Sequence, residues 1–103
     1  MLNAIETVIL DMCKKASREK PVSIKEIKEV TMLPDNTIRK HVADLRGYGY
    51  RICSQAKGYW VAKNESDYLS FRGKYMAEIS KRIDRLKAMD NTVLNQIEMG
   101  AEC

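Results

Sequence analysis

Arg39, Lys40 and His41 follow directly on Asn36, Thr37 and Ile38, and Arg46 closes the same segment. A second basic point, Lys57, stands beside Gln55 and just before Gly58. Arginine and lysine can donate to guanine edges or to phosphates, so the chemistry these residues suit is nucleic-acid contact. His41 has two readings, a phosphate donor or a residue packed at the edge of a helix. As a catalytic group it has no cysteine, serine or acid placed around it. Paired carboxylates, a nucleophile–base pair and a phosphate loop are likewise not visible, and no enzyme is expected. The cysteines, Cys13, Cys53 and Cys103, are odd in number, widely spaced and without a CxxC step. Zinc takes about four ligands and His41 is the only histidine, so no metal and no cofactor is expected. Cys13 and Cys53 are expected to be small apolar fillers, and Cys103 a free thiol in the tail.

Such donors have to be held on rigid elements. From about 3 to 17, Ile5, Val8, Ile9, Met12, Cys13 and Ala16 recur at helical spacing, with Glu6 and Asp11 expected to face water. Pro21 ends that helix, because the residue before a proline avoids helical geometry. Ser23 with Glu26 reads as a capping box for a helix over about 23–32, whose buried face would be Ile24, Ile27, Val30 and Met32. Leu33-Pro34-Asp35-Asn36 is the break, and Asp35 or Asn36 can cap the next helix, about 36–46. There Ile38, Val42 and Leu45 fall at i, i+4 and i+7 and turn inward, so Thr37, Arg39, Lys40, Asp44 and Arg46 point elsewhere.

Gly47-Tyr48-Gly49 stops that helix. Tyr50–Ser54 and Tyr59–Ala62 read as strands joined by Gln55-Ala56-Lys57-Gly58, a wing hairpin over about 50–62. Alternation puts Ile52 inward and Arg51 and Cys53 on the other face. Arg51 could equally pair with an acid. Tyr59 or Trp60 is expected to close the core beneath the wing, with stacking on bases as the other possibility.

After the polar stretch 64–67, with Ser66 as a possible cap, a long C-terminal helix spans about 66–99. Leu69, Met76, Ile83 and Ile97 take heptad position a, and Ile79, Leu86 and Val93 position d, with Arg72 at d and Asp90 at a as exceptions. Met76, Ile79, Ile83, Leu86, Val93 and Ile97 are the candidate dimerisation residues. The same helix could instead fold back on its own domain. Asp90-Asn91-Thr92 is either a helix break with a fresh cap or a polar notch in a coiled coil. Its basic residues, Lys74, Lys81, Arg82, Arg85 and Lys87, read as a solvated face with pairs such as Glu78–Arg82, or as DNA-backbone contacts.

At 103 residues the chain has room for one domain, 1–63, and an accessory element. The formal charge is +4. Lys and Arg exceed Asp and Glu by one over 1–22 and by four over 23–63, and fall short by one over 64–103. The excess therefore lies on the segment with the candidate donors. No apolar run approaches the about 20 residues that span a bilayer. The N-terminus lacks the basic start of a signal peptide, so a cytoplasmic protein with no membrane contact is expected. The fold class expected is mainly α with a small β-hairpin.

With the two helices, turn and hairpin in place, the chain resembles winged helix-turn-helix domains, and most of all the N-terminal DNA-binding domain of the biotin repressor group. The resembling residues are Asn36-Thr37-Ile38-Arg39-Lys40-His41-Val42 with Leu45-Arg46, Gly49-Tyr50, and Lys57-Gly58-Tyr59. The resemblance implies double-stranded DNA as partner, with the second helix of the pair reading bases and the wing on the backbone. Carried over, Asn36, Thr37, Arg39 and Lys40 are base or phosphate contacts, His41 and Arg46 secondary phosphate contacts, and Lys57 with Gln55 and Ser54 the wing tip. The chain departs from the group in having Leu33-Pro34-Asp35 where a serine or threonine cap is usual, and no ligase domain follows, so biotin chemistry does not carry over. What remains resembles a dimeric transcriptional regulator of phage or mobile-element type. The other reading is a winged-helix protein-interaction module or inhibitor that binds a protein partner.

Overall fold

The computed structural model describes the backbone of residues 2–102 and the side chains of residues 2–91. Helices α1 (Ala4–Lys15), α2 (Ile24–Thr31) and α3 (Asp35–Gly47) precede strands β1 (Ile52–Gln55) and β2 (Gly58–Val61), and α4 covers Glu65–Glu102. The fold is thus mainly helical with one antiparallel hairpin and a long C-terminal helix. The chain divides into two compact units, Met1–Phe71 and Arg72–Cys103. The first takes in the opening turns of α4, beyond the boundary at 63 expected from the sequence. No helix among the described residues is long and apolar enough to cross a membrane.

Each element of the first unit contributes to one core. Ile9 of α1, Ile27 of α2, Ile38 and Leu45 of α3 and Ile52 of β1 are fully buried. Removal of such a side chain from water is worth roughly 1.5–3 kcal/mol. The buried face of α1 is rotated from the expected stripe: Glu6, Ile9, Leu10 and Cys13 are inside, and Val8 is exposed. Glu6 does not face water. Its carboxylate accepts from the Asn3 backbone N–H at 3.1 Å while the Asn3 side chain accepts from the Glu6 N–H at 2.8 Å, a reciprocal capping box that satisfies a buried acid.

In α2 the expected face also fails beyond Ile27. Val30 and Met32 are exposed, because at about 100° per residue Thr31, not Val30, continues the line of Ile24 and Ile27. Met32 ends the helix in the left-handed region, at φ 61°. Thr31 Oγ1 donates to the Ile27 carbonyl at 2.8 Å, and Leu33 then packs against the core. Neither Asp35 nor Asn36 caps α3. Its N-cap is Pro34, which makes no side-chain cap bond, and Asp35 pairs with Lys28 at 3.5 Å. For α4 the cap is Asn64 rather than Ser66: Asn64 Oδ1 accepts from the Asp67 N–H at 2.8 Å.

The hairpin pairs Ile52 with Val61, Cys53 with Trp60, Ser54 with Tyr59 and Gln55 with Gly58 around a two-residue turn. Both faces of β1 are covered at its start, so Cys53 is buried as fully as Ile52, contrary to simple alternation. A further pairing lies on the other side of β2. Val22 N–H donates to the Tyr59 carbonyl and Tyr59 N–H to the Val22 carbonyl, both at 2.8 Å. Gly58 permits this approach: a Cβ there would stand 2.1 Å from the Val22 oxygen, at a φ of +149°. Gly58→Ala is therefore expected to lower unfolding stability by about 2–4 kcal/mol in urea titrations.

Burial pushes the Cys13 thiol up to about 12 and the Cys53 thiol up to about 11, from an ordinary 9.0. Each group holds its proton more tightly folded than unfolded. Its contribution is whole below pH 9 and is lost as pH rises from 9 through 11–12. The urea midpoint should fall across that window, and fall less steeply in Cys13→Ala.

Candidate nucleic-acid interface

The exposed side of α3 follows from what its inner side buries. With Ile38, Val42 and Leu45 in the core, Asn36, Arg39 and Lys40 stand in solvent, and Thr37 is half-buried. Asn36 Oδ1 accepts from the Thr37 N–H at 3.0 Å, which orients that amide at the helix start. Between α3, the start of α2 and the hairpin lies a cleft of about 370 Å³. Arg39, Arg46 and Lys57 line it together with Ser23, Ser54 and Gln55, and no carboxylate is among its lining residues. Three cations thus share one hollow with hydroxyl and amide groups, which favours an anion there. The side chains of Arg39, Lys40 and Lys57 make no hydrogen bond or ion pair among the described residues.

Arg46 is placed differently from the others. Its Nε donates to the Ile52 carbonyl at 2.8 Å and its Nη2 to Ser54 Oγ at 3.1 Å, while the guanidinium lies 5.4 Å from the Phe71 ring centre. It ties α3 to β1 and contributes its charge to the cleft from a fixed position. Arg46 thus anchors the hairpin while it lines the cleft. Gln55 is also engaged, its Nε2 donating to the Arg18 carbonyl at 3.1 Å. The wing tip is therefore held at Gln55 and left open at Lys57.

His41 is not brought to the cleft. It lies about 200° round the helix from Arg39 and faces α1. There its ligating atoms and those of Glu6 and Asp44 all come within 4.8 Å of one another, and His41 Nδ1 is enclosed without a hydrogen-bond partner among the described residues. His41 Nδ1 thus sits enclosed at the edge of α3, against α1. Arg51 pairs with an acid, Glu65, in the first turn of α4, and lies 4.0 Å from the Tyr68 ring centre. The hydrogen bond that Arg51 donates to Glu65 raises the Arg51 pKa further above its ordinary value. Trp60 is buried and donates to Asp67 at 3.0 Å, so it closes the core and is not free to stack.

Ser23 at the cleft rim was readable only as a helix cap, a role it also fills by accepting from the Glu26 N–H at 3.1 Å. Its second position depends on the docking of the hairpin, for which the sequence carries no local signal. In α4, Met76, Ile79, Ile83 and Leu86 are exposed along one stripe, while the side chains of Val93 and Ile97 lie outside the described residues, as do Met99 and Cys103.

No family model matches this chain, and no curated protein or solved structure matches it significantly.

The two arginines of the cleft should separate in a single experiment. Arg46→Ala is expected to cost about 1.5–3 kcal/mol of unfolding stability through its lost charge-assisted bonds. Arg39→Ala should stay within about 0.5 kcal/mol of the parent, as an unpacked surface residue does. Urea titration of the two variants reads the difference.

Proposed function

We propose that this chain is a sequence-specific double-stranded DNA-binding protein of the cytoplasm, a homodimeric transcriptional regulator of phage or mobile-element type with a winged domain akin to that of the biotin repressor group. The observation that carries this reading is the acid-free cleft that gathers Arg39, Arg46 and Lys57 between α3 and the hairpin. In this reading α3 enters the major groove. Asn36, Thr37, Arg39 and Lys40 meet bases or phosphates, and Lys57 meets the backbone beside them. Asp35, held by Lys28 at 3.5 Å, presents less repulsion to a passing phosphate than a free carboxylate would.

A second reading has support of its own. Val30 and Met32 are 60% and 83% exposed at the end of α2, an apolar pair that a protein partner could cover. In that case α2 and the turn are the docking face and DNA affinity is negligible.

Binding to duplex DNA over a salt series distinguishes the two. The regulator reading expects log affinity to fall linearly with log salt, and Arg39→Ala with Lys40→Ala to weaken binding to a selected site by at least about tenfold. Lys57→Ala should weaken all sequences alike and make the salt dependence shallower by about one phosphate. No affinity even at low salt would sink the DNA reading and move the search to a partner for Val30 and Met32.

A further inference from the structure

The unit Arg72–Cys103 carries an apolar stripe with two charged interruptions, and the placement of those two specifies a partner. Met76, Ile79, Ile83 and Leu86 alternate at spacings of three and four and are all exposed, at 38–54%. Arg72 continues the line one step before Met76, and Asp90 one step after Leu86. Such a seam fits a second helix with the same repeat, which a second copy of this chain supplies.

Strand direction decides what the two charges meet. In a parallel, in-register pair each seam residue faces its own copy. Arg72 would then face the partner's Arg72 and Asp90 the partner's Asp90, and on the flank Arg82 would approach the partner's Lys87. All three encounters are between like charges. In an antiparallel pair, position a faces position d. One register sets Ile79 against the partner's Ile83, Met76 against the partner's Leu86, and Arg72 against the partner's Asp90. From Arg72 to Asp90 every core layer is then apolar with apolar or cation with anion. A slip of one heptad either way sets Arg72 against the partner's Ile83, or Asp90 against the partner's Ile79, and leaves a charge in an apolar layer. The remaining like-charge encounter, Arg82 with the partner's Arg82 near the two-fold axis, lies on the solvated flank, where Glu78 stands four residues earlier on each helix.

We propose that α4 forms an antiparallel two-stranded coiled coil with a second copy of the chain, in the register that pairs Arg72 with the partner's Asp90. This rests on the dimeric reading above and adds to it a direction and a register. The exceptions to the repeat then act as its selector. They contribute little to affinity as half-exposed pairs, but they penalise the competing alignments.

The test uses the full chain with Cys103→Ser, carrying either Met76→Cys or Leu86→Cys, with mass in solution measured alongside. Under mild oxidation, an equal mixture of the two variants should give a covalent heterodimer that neither gives alone. In parallel, Arg72→Asp and Asp90→Arg should each weaken dimerisation by about tenfold, and the two together in one chain should restore it. Self-linking of Met76→Cys alone, or single charge variants that dimerise as the parent does, would overturn the antiparallel register and leave the dimer standing. A parent chain that stays monomeric at every concentration would overturn both.

Discussion

The first unit depends on the seating of one residue, Tyr59, between two backbones. It pairs with Ser54 on one side and with Val22 on the other, so β2 joins the hairpin to the linker ahead of α2. That linker enters α2 directly through Ser23, and the position of α2 in turn sets where Leu33 and α3 begin. A side chain at position 58 would push these backbones apart, which is why the residue before Tyr59 carries no Cβ. With the wing fixed in this way, Lys57 stands at a set distance from α3, and the cleft between them has a defined width.

Arg46 reinforces the same arrangement from the other side. Its bonds to Ile52 and Ser54 satisfy a carbonyl and a hydroxyl at the base of the hairpin, where β1 leaves the core. A lysine could supply the charge but not both directional donors from one planar group. The charge of the cleft and the attachment of the wing therefore share a residue. Below it, Cys53, Ile52 and Trp60 close the core, and the Trp60–Asp67 bond brings in the first turns of α4.

Much of this was readable from the residues because it rests on local rules. The order of helices, the hairpin and the long last helix follow from periodicity, glycines and caps, and Ile38, Val42 and Leu45 are buried as their spacing requires. What escaped near α1, α2 and α4 was also local, but pattern alone does not rank it. Glu6 goes inside because its carboxylate is satisfied at Asn3, which hydropathy alone does not register. Val30 falls outside because a three-residue step repeated twice drifts off the helical line. Asn64 caps α4 in place of Ser66, one of several polar residues that could have done so. At the cleft, the exposure of Arg39, Lys40 and Lys57 could be read from pattern, whereas the anchoring of Arg46 and the turning away of His41 needed the hairpin and α1 in place.

α3 divides its residues cleanly between holding and facing outward. Ile38, Val42 and Leu45 hold, with Arg46 beside them, while the side chains of Arg39, Lys40 and Ala43 stand in solvent. The consequence is evolutionary. Substitutions on the outward set can accumulate without weakening the protein that carries them, so a lineage built on this scaffold can vary this face in single steps, each intermediate remaining folded.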